Sequence, residues 1–535
     1  VLEHLVGERP EQGLLDAEAA WRETGVSESA AVAAVAANWV GDHRRASALA
    51  AAGVAAASTP EARALCLAGA ALAAAGDPDV DGLGPWREAR ALLDDVADLA
   101  TPGGALLRYV LAEAALTGAR LDDAAEVDGA FAVVPPPDEV WVGHPFATMM
   151  AICRLRIAAF SGRIDAAQDL LPPVLEAAAV SERLAGVVGS VVGVVRGKAD
   201  DHAALLATLE VADRVPAPPR DFVDRGVLRL LGYGLMAAGE TALAAKVILR
   251  AADEHGLERS TLIDRALSID LLVAVALEGD DLVSADTWLA LLDPVLDHPV
   301  VAPTATRAWG RRHLAAGDVD LAIEFLTTSI ELCAERGSQT EVADGEIVLA
   351  RARIAARDVG SASRRLRALV EDSDRSGYGA VRRAAEEVLA PSGRRLPPVA
   401  GKEWSVLSAR EAEVARLVLA GREVDEIAAD LFLAPSTVRA HLSRVFHAFG
   451  VANRIGLLAA AGARSGPAEA PALSPRQADV VGLLAGGRSN QQIAEALGIS
   501  VKGVEKHVGD VRLRWAARSR FDIARIWWSA NTSEA

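Results

Sequence analysis

A turn built on a small residue, followed a few positions later by an alanine in a helix-forming run, keeps returning through the first 400 residues of this 535-residue chain. It occurs at Gly41-Asp42 with Ala46, Gly76-Asp77, Gly118 with Ala124, Gly162 with Ala166, Gly239 with Ala244, Gly279-Asp280 with Ala285, Gly317-Asp318 with Ala322 and Arg357-Asp358 with Ala362. Gly197 fits between Gly162 and Gly239. Spacings of about 35 to 44 residues suit two antiparallel helices, the first ended by glycine at φ > 0 and the second started by the next turn. Within a unit the apolar period is helical: Ala322, Leu326, Ser329 or Ile330 and Cys333 share one face, as do Ala244, Val247, Ile248 and Ala251. A hairpin of about 40 residues cannot bury such a face alone, so neighbours must stack. The expected architecture over residues 1–395 is therefore an all-α, right-handed helical-repeat solenoid of roughly nine pairs, with an irregular bundle as the competing arrangement.

Composition agrees with packed helices. The chain is 51% hydrophobic and 24% charged, alanine is abundant, and the Val/Ile/Tyr/Phe/Thr alternation of strands is scarce. Cys66, Cys153 and Cys333 lie far apart with no CxxC or Cys/His cluster, which points to core thiols and to neither a disulfide framework nor a zinc site. Apolar stretches such as Ala30 to Val40 and Gly186 to Val195 run about 10 to 12 residues, short of the ~20 that span a bilayer. No basic n-region precedes an apolar segment, so the cytoplasm is the expected location. The first residue is Val1, which fits either a non-AUG start or a missing upstream piece. Pro135-Pro136-Pro137 and Pro216 to Pro219 read as loops between repeats.

Charge is unevenly spread. The net −18 divides into about +3 over residues 401–535 and about −21 over 1–400, so only the C-terminal quarter is electrostatically permitted to meet nucleic acid. Arginine outnumbers lysine throughout, a compositional bias and not a phosphate signal.

That C-terminal quarter contains an internal duplication. Leu407, Arg410, Gly421, Ile427, Ala428, Leu431, Val438, His441 and Arg454 return, each 66 positions later, as Leu473, Arg476, Gly487, Ile493, Ala494, Leu497, Val504, His507 and Arg520. A Pro- and Gly-rich hinge, Pro391 to Trp404, leads in. Ser408 and Glu411 form a capping box, Gly421 ends the first helix, Ile427, Ala428 and Leu431 make a short second one, and Pro435 suits the first position of a third. That helix, Ser436 to Phe449, turns Val438, Leu442 and Val445 inward and Arg439, Ala440, Ser443 and Arg444 outward. In a major groove Arg439 would bond guanine O6/N7, Ala440 would meet a thymine methyl, Ser443 and Arg444 would reach base or phosphate, and Thr437 and His441 would reach backbone phosphate.

These residues carry a resemblance. Leu407-Ser-x-Arg-Glu-x-Glu-Val, Gly421, Glu426-Ile-Ala, Ser436-Thr-Val-Arg-x-His-Leu and Arg454 resemble the LuxR-type helix-turn-helix of bacterial transcription regulators. The resemblance implies a four-helix domain whose third helix reads the groove and whose last helix, around Arg454 to Ala461, often forms a dimer contact. The second copy keeps the frame but carries Gly503, Glu505, Gly509 and Asp510 on its reading face, leaving Lys502, Lys506, Arg512, Arg514 and Arg518 for the backbone. The first copy departs too: Glu423 and Val424 replace Ser489 and Asn490, and Ala434 replaces the capping Ser500, each lost cap costing about 0.5 to 2 kcal/mol. The two units are expected to support each other, with only the first reading sequence. Upstream, residues 30 to 390 resemble tetratricopeptide-like arrays in architecture alone, which implies a concave groove for an effector.

The expected domains are 1–395 (solenoid), 396–406 (linker), 407–462 (first helix-turn-helix), 463–472 (linker) and 473–530 (second, divergent helix-turn-helix). The whole resembles the C-terminal part of the large ATP-binding LuxR-family regulators, in which an ATPase precedes the array. The nearest approach to a phosphate loop, Gly193 to Ala199, has one residue too few between its glycines and lacks the hydroxyl. No HExxH, GxSxG or Ser/His/Asp arrangement is present, and pairs such as Asp94-Asp95 and Asp122-Asp123 read as solvated faces. The expected function is thus a non-enzymatic transcription regulator without cofactor or metal. Its expected DNA-binding set is Thr437, Arg439, Ala440, His441, Ser443, Arg444, Arg454, Lys502, Lys506, Arg512 and Arg514. Its expected partners are double-stranded DNA, a protein or small-molecule effector on the repeats, a second copy as homodimer and RNA polymerase, with no membrane. The alternative is a helical-repeat interaction scaffold with degenerate helix-turn-helix domains.

Overall fold

The structure, a computed structural model, describes residues 9–96, 102–132, 145–178, 181–252, 257, 260–396, 404, 407–461, 471 and 473–531. Pro135–Pro137, most of the hinge before 407 and nearly all of 463–472 lie outside the described residues. The chain divides into two compact units, 1–395 and 396–535. Among the described residues all regular structure is helical, and no helix is long and apolar enough to cross a membrane.

Among the described residues of the first unit, the helices that follow Pro10–Thr24 alternate as first and second members of nine pairs. The first members are Ser27–Trp39, Pro60–Ala73, Pro102–Thr117, Pro145–Phe160, Glu182–Lys198, Phe222–Ala237, Leu262–Glu278, Ala302–Ala316 and Gln339–Ala355. Each packs on its own second member and on the first member of the next pair, the last of them on Gly379–Leu389. This is the helical-repeat array the spacing predicts. One second member is broken into His202–Ala207 and Leu209–Arg214.

The turn rule is sharper than its sequence form. Backbone φ is positive at Gly41, Ala119, Gly162, Asp200, Gly239, Asp280, Gly317 and Arg357. Five residues after each comes a fully buried side chain: Ala46, Ala124, Ala167, Leu205, Ala244, Ala285, Ala322 and Ala362. The left-handed residue reverses the chain, and the fifth residue onward lies where the second helix crosses the first, a point with room for little beyond a methyl in seven of the eight cases. Several sequence assignments shift accordingly. Gly118 and Gly279 precede the left-handed residue, Ala166 is exposed while Ala167 is buried, and Gly76 closes a 3-10 turn, Ala74–Gly76, well before the next helix begins at Leu83.

Gly197 is not a turn residue at all. It lies inside Glu182–Lys198, where a Cβ would stand 2.0 Å from the carbonyl oxygen of Gly234 on Phe222–Ala237. A Cβ on Gly234 would in turn stand 2.4 Å from the carbonyl oxygen of Gly193, so the glycines that resembled a phosphate loop belong to a helix-crossing contact.

The array winds back on itself. Ser27–Trp39 touches Phe222–Ala237, Pro102–Thr117 touches Leu262–Glu278, and Glu182–Lys198 touches Gly379–Leu389, each four or five pairs further on. Polar contacts join these turns: Asp165 N donates to Ser376 O (2.9 Å), Thr340 Oγ1 to Phe160 O (3.1 Å), and Arg383 to Asp200 Oδ1 (2.7 Å) and Ala237 O (2.6 Å). The concave side is therefore largely filled by its own chain, in place of the open groove that array architecture alone implies.

Buried charges line that interior. Arg307, 1% exposed, donates to Asp270 Oδ2 (2.9 Å) and Glu341 Oε2 (3.3 Å), and Arg311 donates to Asp270 Oδ1 (3.1 Å). His43 is buried with Nδ1 2.8 Å from Asn38 Oδ1, its ring against Phe222 at a centroid distance of 6.4 Å. Burial pushes its imidazole down to about 4.

Two outcomes follow. Gly197→Ala should lower stability by about 1–3 kcal/mol or more, since both partners at the contact are backbone and neither can step aside; a thermal melt matching the parent would refute the crossing. For His43 the unfolded chain takes up a proton near 6.5 and the native state only near 4. Stability of the first unit should therefore fall as pH drops from about 6.5 to about 4, by up to ~3 kcal/mol. Urea midpoints across that range should show a shallower fall for His43→Gln.

Candidate nucleic-acid interface

The second unit holds eight helices among the described residues: α1 Ala409–Leu419, α2 Val424–Asp430, α3 Pro435–Ala448, α4 Arg454–Ala460, α5 Pro475–Ala485, α6 Asn490–Leu497, α7 Val501–Arg514 and α8 Arg520–Asn531. They form two sets of four related by the 66-residue offset. Ser408 and Glu411 close the expected capping box on α1, with Glu411 N donating to Ser408 Oγ (3.3 Å) and Ser408 N to Glu411 Oε2 (3.0 Å). Gly421 and its counterpart Gly487 end α1 and α5 at φ +88° and +85°. Ser489 and Ser500 cap α6 and α7.

The first copy makes good one of its missing caps. Glu426 accepts from the backbone N–H of Glu423 (2.9 Å), so the start of α2 keeps the returning half of a capping box. Ala434 makes no side-chain cap on α3, as the sequence implies, and there Pro435 begins the helix.

Within α3, Val438, Leu442 and Val445 are buried against Val414, Val418 and Ile427. The opposite face carries Thr437, Arg439, Ala440 and Ser443, all exposed. Arg439 forms no hydrogen bond or ion pair with any described residue. Arg444 is exposed but tethered: its Nη1 donates to Glu411 Oε1 (3.1 Å), and His441 Nδ1 stands 3.9 Å from the same oxygen. Burial alone would push the Glu411 carboxyl up, but Ser408 and Arg444 together hold it below the usual carboxylate range. Glu411 thus caps α1 and positions the side of α3, a double role the sequence showed only in its capping half.

Arg454 lies elsewhere. Its guanidinium donates to Glu423 Oε2 (2.6 Å) and Arg422 O (2.7 Å) and stacks 5.1 Å above the Phe521 ring. Arg520 repeats the pattern, bonding Asn490 Oδ1 and Arg488 O. Both arginines therefore tie the fourth helix of a copy to the start of its second. On α7, Lys502, Lys506 and Arg512 are exposed beside Glu505 and Asp510, while Arg514 donates to Gln477 Oε1 (3.2 Å).

The two copies share a core. Ile455 and Leu458 on α4 are buried among Val480, Val481, Leu484, Phe521 and Ala524 of the second copy, whereas Leu457 turns into the first. Asn453 caps α4 and also donates to Gly487 O (3.2 Å). One face of the helix that the LuxR resemblance assigns to a dimer contact is thus covered by the chain's own second copy.

Two features escaped sequence reading. Phe432 is 96% exposed at φ +55° in the turn between α2 and α3, where the second copy has Gly498 at φ +63°; the 66-residue offset could have flagged it as a bulky residue in a glycine position. Asn453, which joins the copies, has no counterpart signal in the repeat.

Two tandem four-helix domains, each with a short helix, a tight turn and a third helix bearing an outward polar face, define a helix-turn-helix unit. Residues 405–461 and 471–527 each match the family model "Bacterial regulatory proteins, luxR family", and they are LuxR-family helix-turn-helix domains. A "Probable transcriptional regulatory protein NarL" of Mycobacterium tuberculosis is 43% identical over 84 residues, covering 14% of this chain and 37% of that protein. An HTH-type transcriptional regulator of Mycobacterium bovis is 35% identical over 101 residues, covering 18% of this chain and 11% of that protein. The chain thus spans about a third or less of the length of these relatives. Among solved structures, a chain of the APC/C hetero-tetramer Cut9-Hcn1 aligns with 72% of this chain and 91% of that chain, at 12% identity and a TM-score of 0.27. The helical-repeat description rests on the pairing itself.

Leu458→Ala should remove a side chain shared between copies and cost the second unit about 2–5 kcal/mol. A hydrogen-exchange experiment should show protection lost in α5 and α8 as well as in α4; loss confined to α4 would mean the copies are independent.

Proposed function

We propose that this chain is a DNA-binding transcription regulator whose α3 enters a major groove. The observation that carries the reading is the unpaired, exposed Arg439 beside Ala440 and Ser443, on the face opposite the buried Val438–Leu442–Val445 stripe. A guanidinium so placed can bond guanine O6/N7, and Ala440 can meet a thymine methyl. Thr437 and His441 reach flanking phosphate, and Arg444 joins them by leaving Glu411. Arg454 contributes by holding α4 in place. The second copy supplies Lys502, Lys506, Arg512 and Arg514 to the phosphate backbone, with Glu505 and Asp510 limiting its reach into the groove.

The helical repeats receive a signal, from a protein or a small molecule, and RNA polymerase is the downstream partner. The setting is cytoplasmic and the role non-enzymatic. A homodimer, on this reading, uses a surface other than the α4 face already covered within the chain. The family match, the 43% identity to a regulatory protein and the about +3 charge of the C-terminal unit against about −21 upstream support this division of labour.

The test is selection of duplexes from a random pool with the full chain, followed by titration at fixed salt. Arg439→Ala should weaken specific binding by about 1–3 kcal/mol, and binding should fall steeply with ionic strength. A pool that yields no enriched sequence at low salt overturns the proposal.

A further inference from the structure

Inside the first unit lies a cavity of about 360 Å³, walled by helices from different turns of the array. Most charges around it answer one another, as Arg307, Arg311, Asp270 and Glu341 do. Three polar groups do not. Asp344, an exposed side chain on the cavity wall, forms no hydrogen bond or ion pair with any described residue. Lys198, 5% exposed, donates among the described residues only to Ala159 O (3.3 Å) and otherwise faces the rings of Phe160 (5.0 Å) and Tyr378 (5.5 Å), with no described carboxylate within ion-pair distance. The Tyr378 hydroxyl, on a side chain 5% exposed, has no hydrogen-bond partner among the described residues. Arg351 and Glu278, also unpaired, line its more exposed margin.

Burial lowers the Lys198 ammonium to about 8, so its charge is held at a cost to the fold. Opposite charges left open in one cavity are complementary to a molecule carrying both. Part of the remaining wall is apolar, with Leu230, Met236 and Ile347, and a cavity of this volume is of ligand size.

We propose that this cavity binds a small organic zwitterion of the amino-acid or dipeptide type, its ammonium group on Asp344, its carboxylate on Lys198 and the Tyr378 hydroxyl, and its body against the apolar wall. Because the walls come from separate turns, an occupant would hold those turns together, which makes the cavity the place where the signal enters. The inference rests on the repeats being the receiving part of the regulator.

The experiment uses the full chain without DNA, so that its failure is separate from failure of duplex recognition. Free amino acids and dipeptides are screened by thermal shift and then by calorimetry. At least one should raise the melting temperature, and its N-acetylated and carboxamide forms should each bind weaker by about tenfold or more. Asp344→Asn and Lys198→Gln should each abolish the shift while melting, unliganded, at or above the parent temperature, because Lys198→Gln removes a buried charge without a described ion-pair partner and Asp344 has no hydrogen bond or ion pair with any described residue to lose. No shift from any member of the panel overturns the proposal. So does equal binding of the blocked forms, or a large loss of unliganded stability in Asp344→Asn, which would show that this carboxylate is already satisfied by the protein.

Discussion

Two antiparallel helices joined by a tight turn approach closely where the chain reverses through a left-handed residue and then presents a small side chain at their crossing. The left-handed residue recurs eight times in the first unit, and in seven of those, from Gly41 with Ala46 to Arg357 with Ala362, the buried fifth residue is alanine. Everything else in that unit depends on them. Close pairing exposes an apolar edge that one pair cannot cover, so pairs must stack, and stacking with a constant small rotation must wind. Winding by four or five pairs brings Glu182–Lys198 onto Gly379–Leu389 and converts a groove into a cavity.

The interior so formed is unusually polar for a helical array. Buried Arg307 and Asp270 and part-buried Arg311 and Glu341 satisfy one another, so breaking one member would strand the rest, while the assembled set contributes little net stability. Such a network specifies which turns meet. Unanswered groups such as Asp344 and Lys198 do not serve that purpose, and it is the contrast with their paired neighbours that makes them informative.

In the C-terminal unit the same logic of shared apolar surface acts between two copies of one domain. A four-helix domain of this size has a small core, and its fourth helix has an apolar face left over. Here Ile455 and Leu458 spend that face on the second copy, and Arg454, a position repeated at Arg520, clamps each fourth helix to the start of its second. Divergence of the α7 face toward Glu505 and Asp510 is tolerable because the second copy retains this packing role whatever its surface touches.

The sequence by itself determined the helical class, the paired repeat of the first unit, the two LuxR-type copies and the inward and outward faces of α3. Each of these is written in local periodicity, in turn residues or in a fixed offset, which do not require knowing what lies across the fold. It misplaced Gly197, Gly118 and Gly279 because glycine marks a close approach or the residue before a turn as readily as the turn itself. Only the tertiary structure decided that Gly197 meets Gly234, that Arg444 leans on Glu411, that Arg454 is spent on Glu423, Arg422 and Phe521, and that Lys198 and Asp344 face one cavity. Those pairings join residues up to well over a hundred positions apart. Their geometry follows from how the array winds and how α4 docks, and neither is encoded in any single stretch of chain.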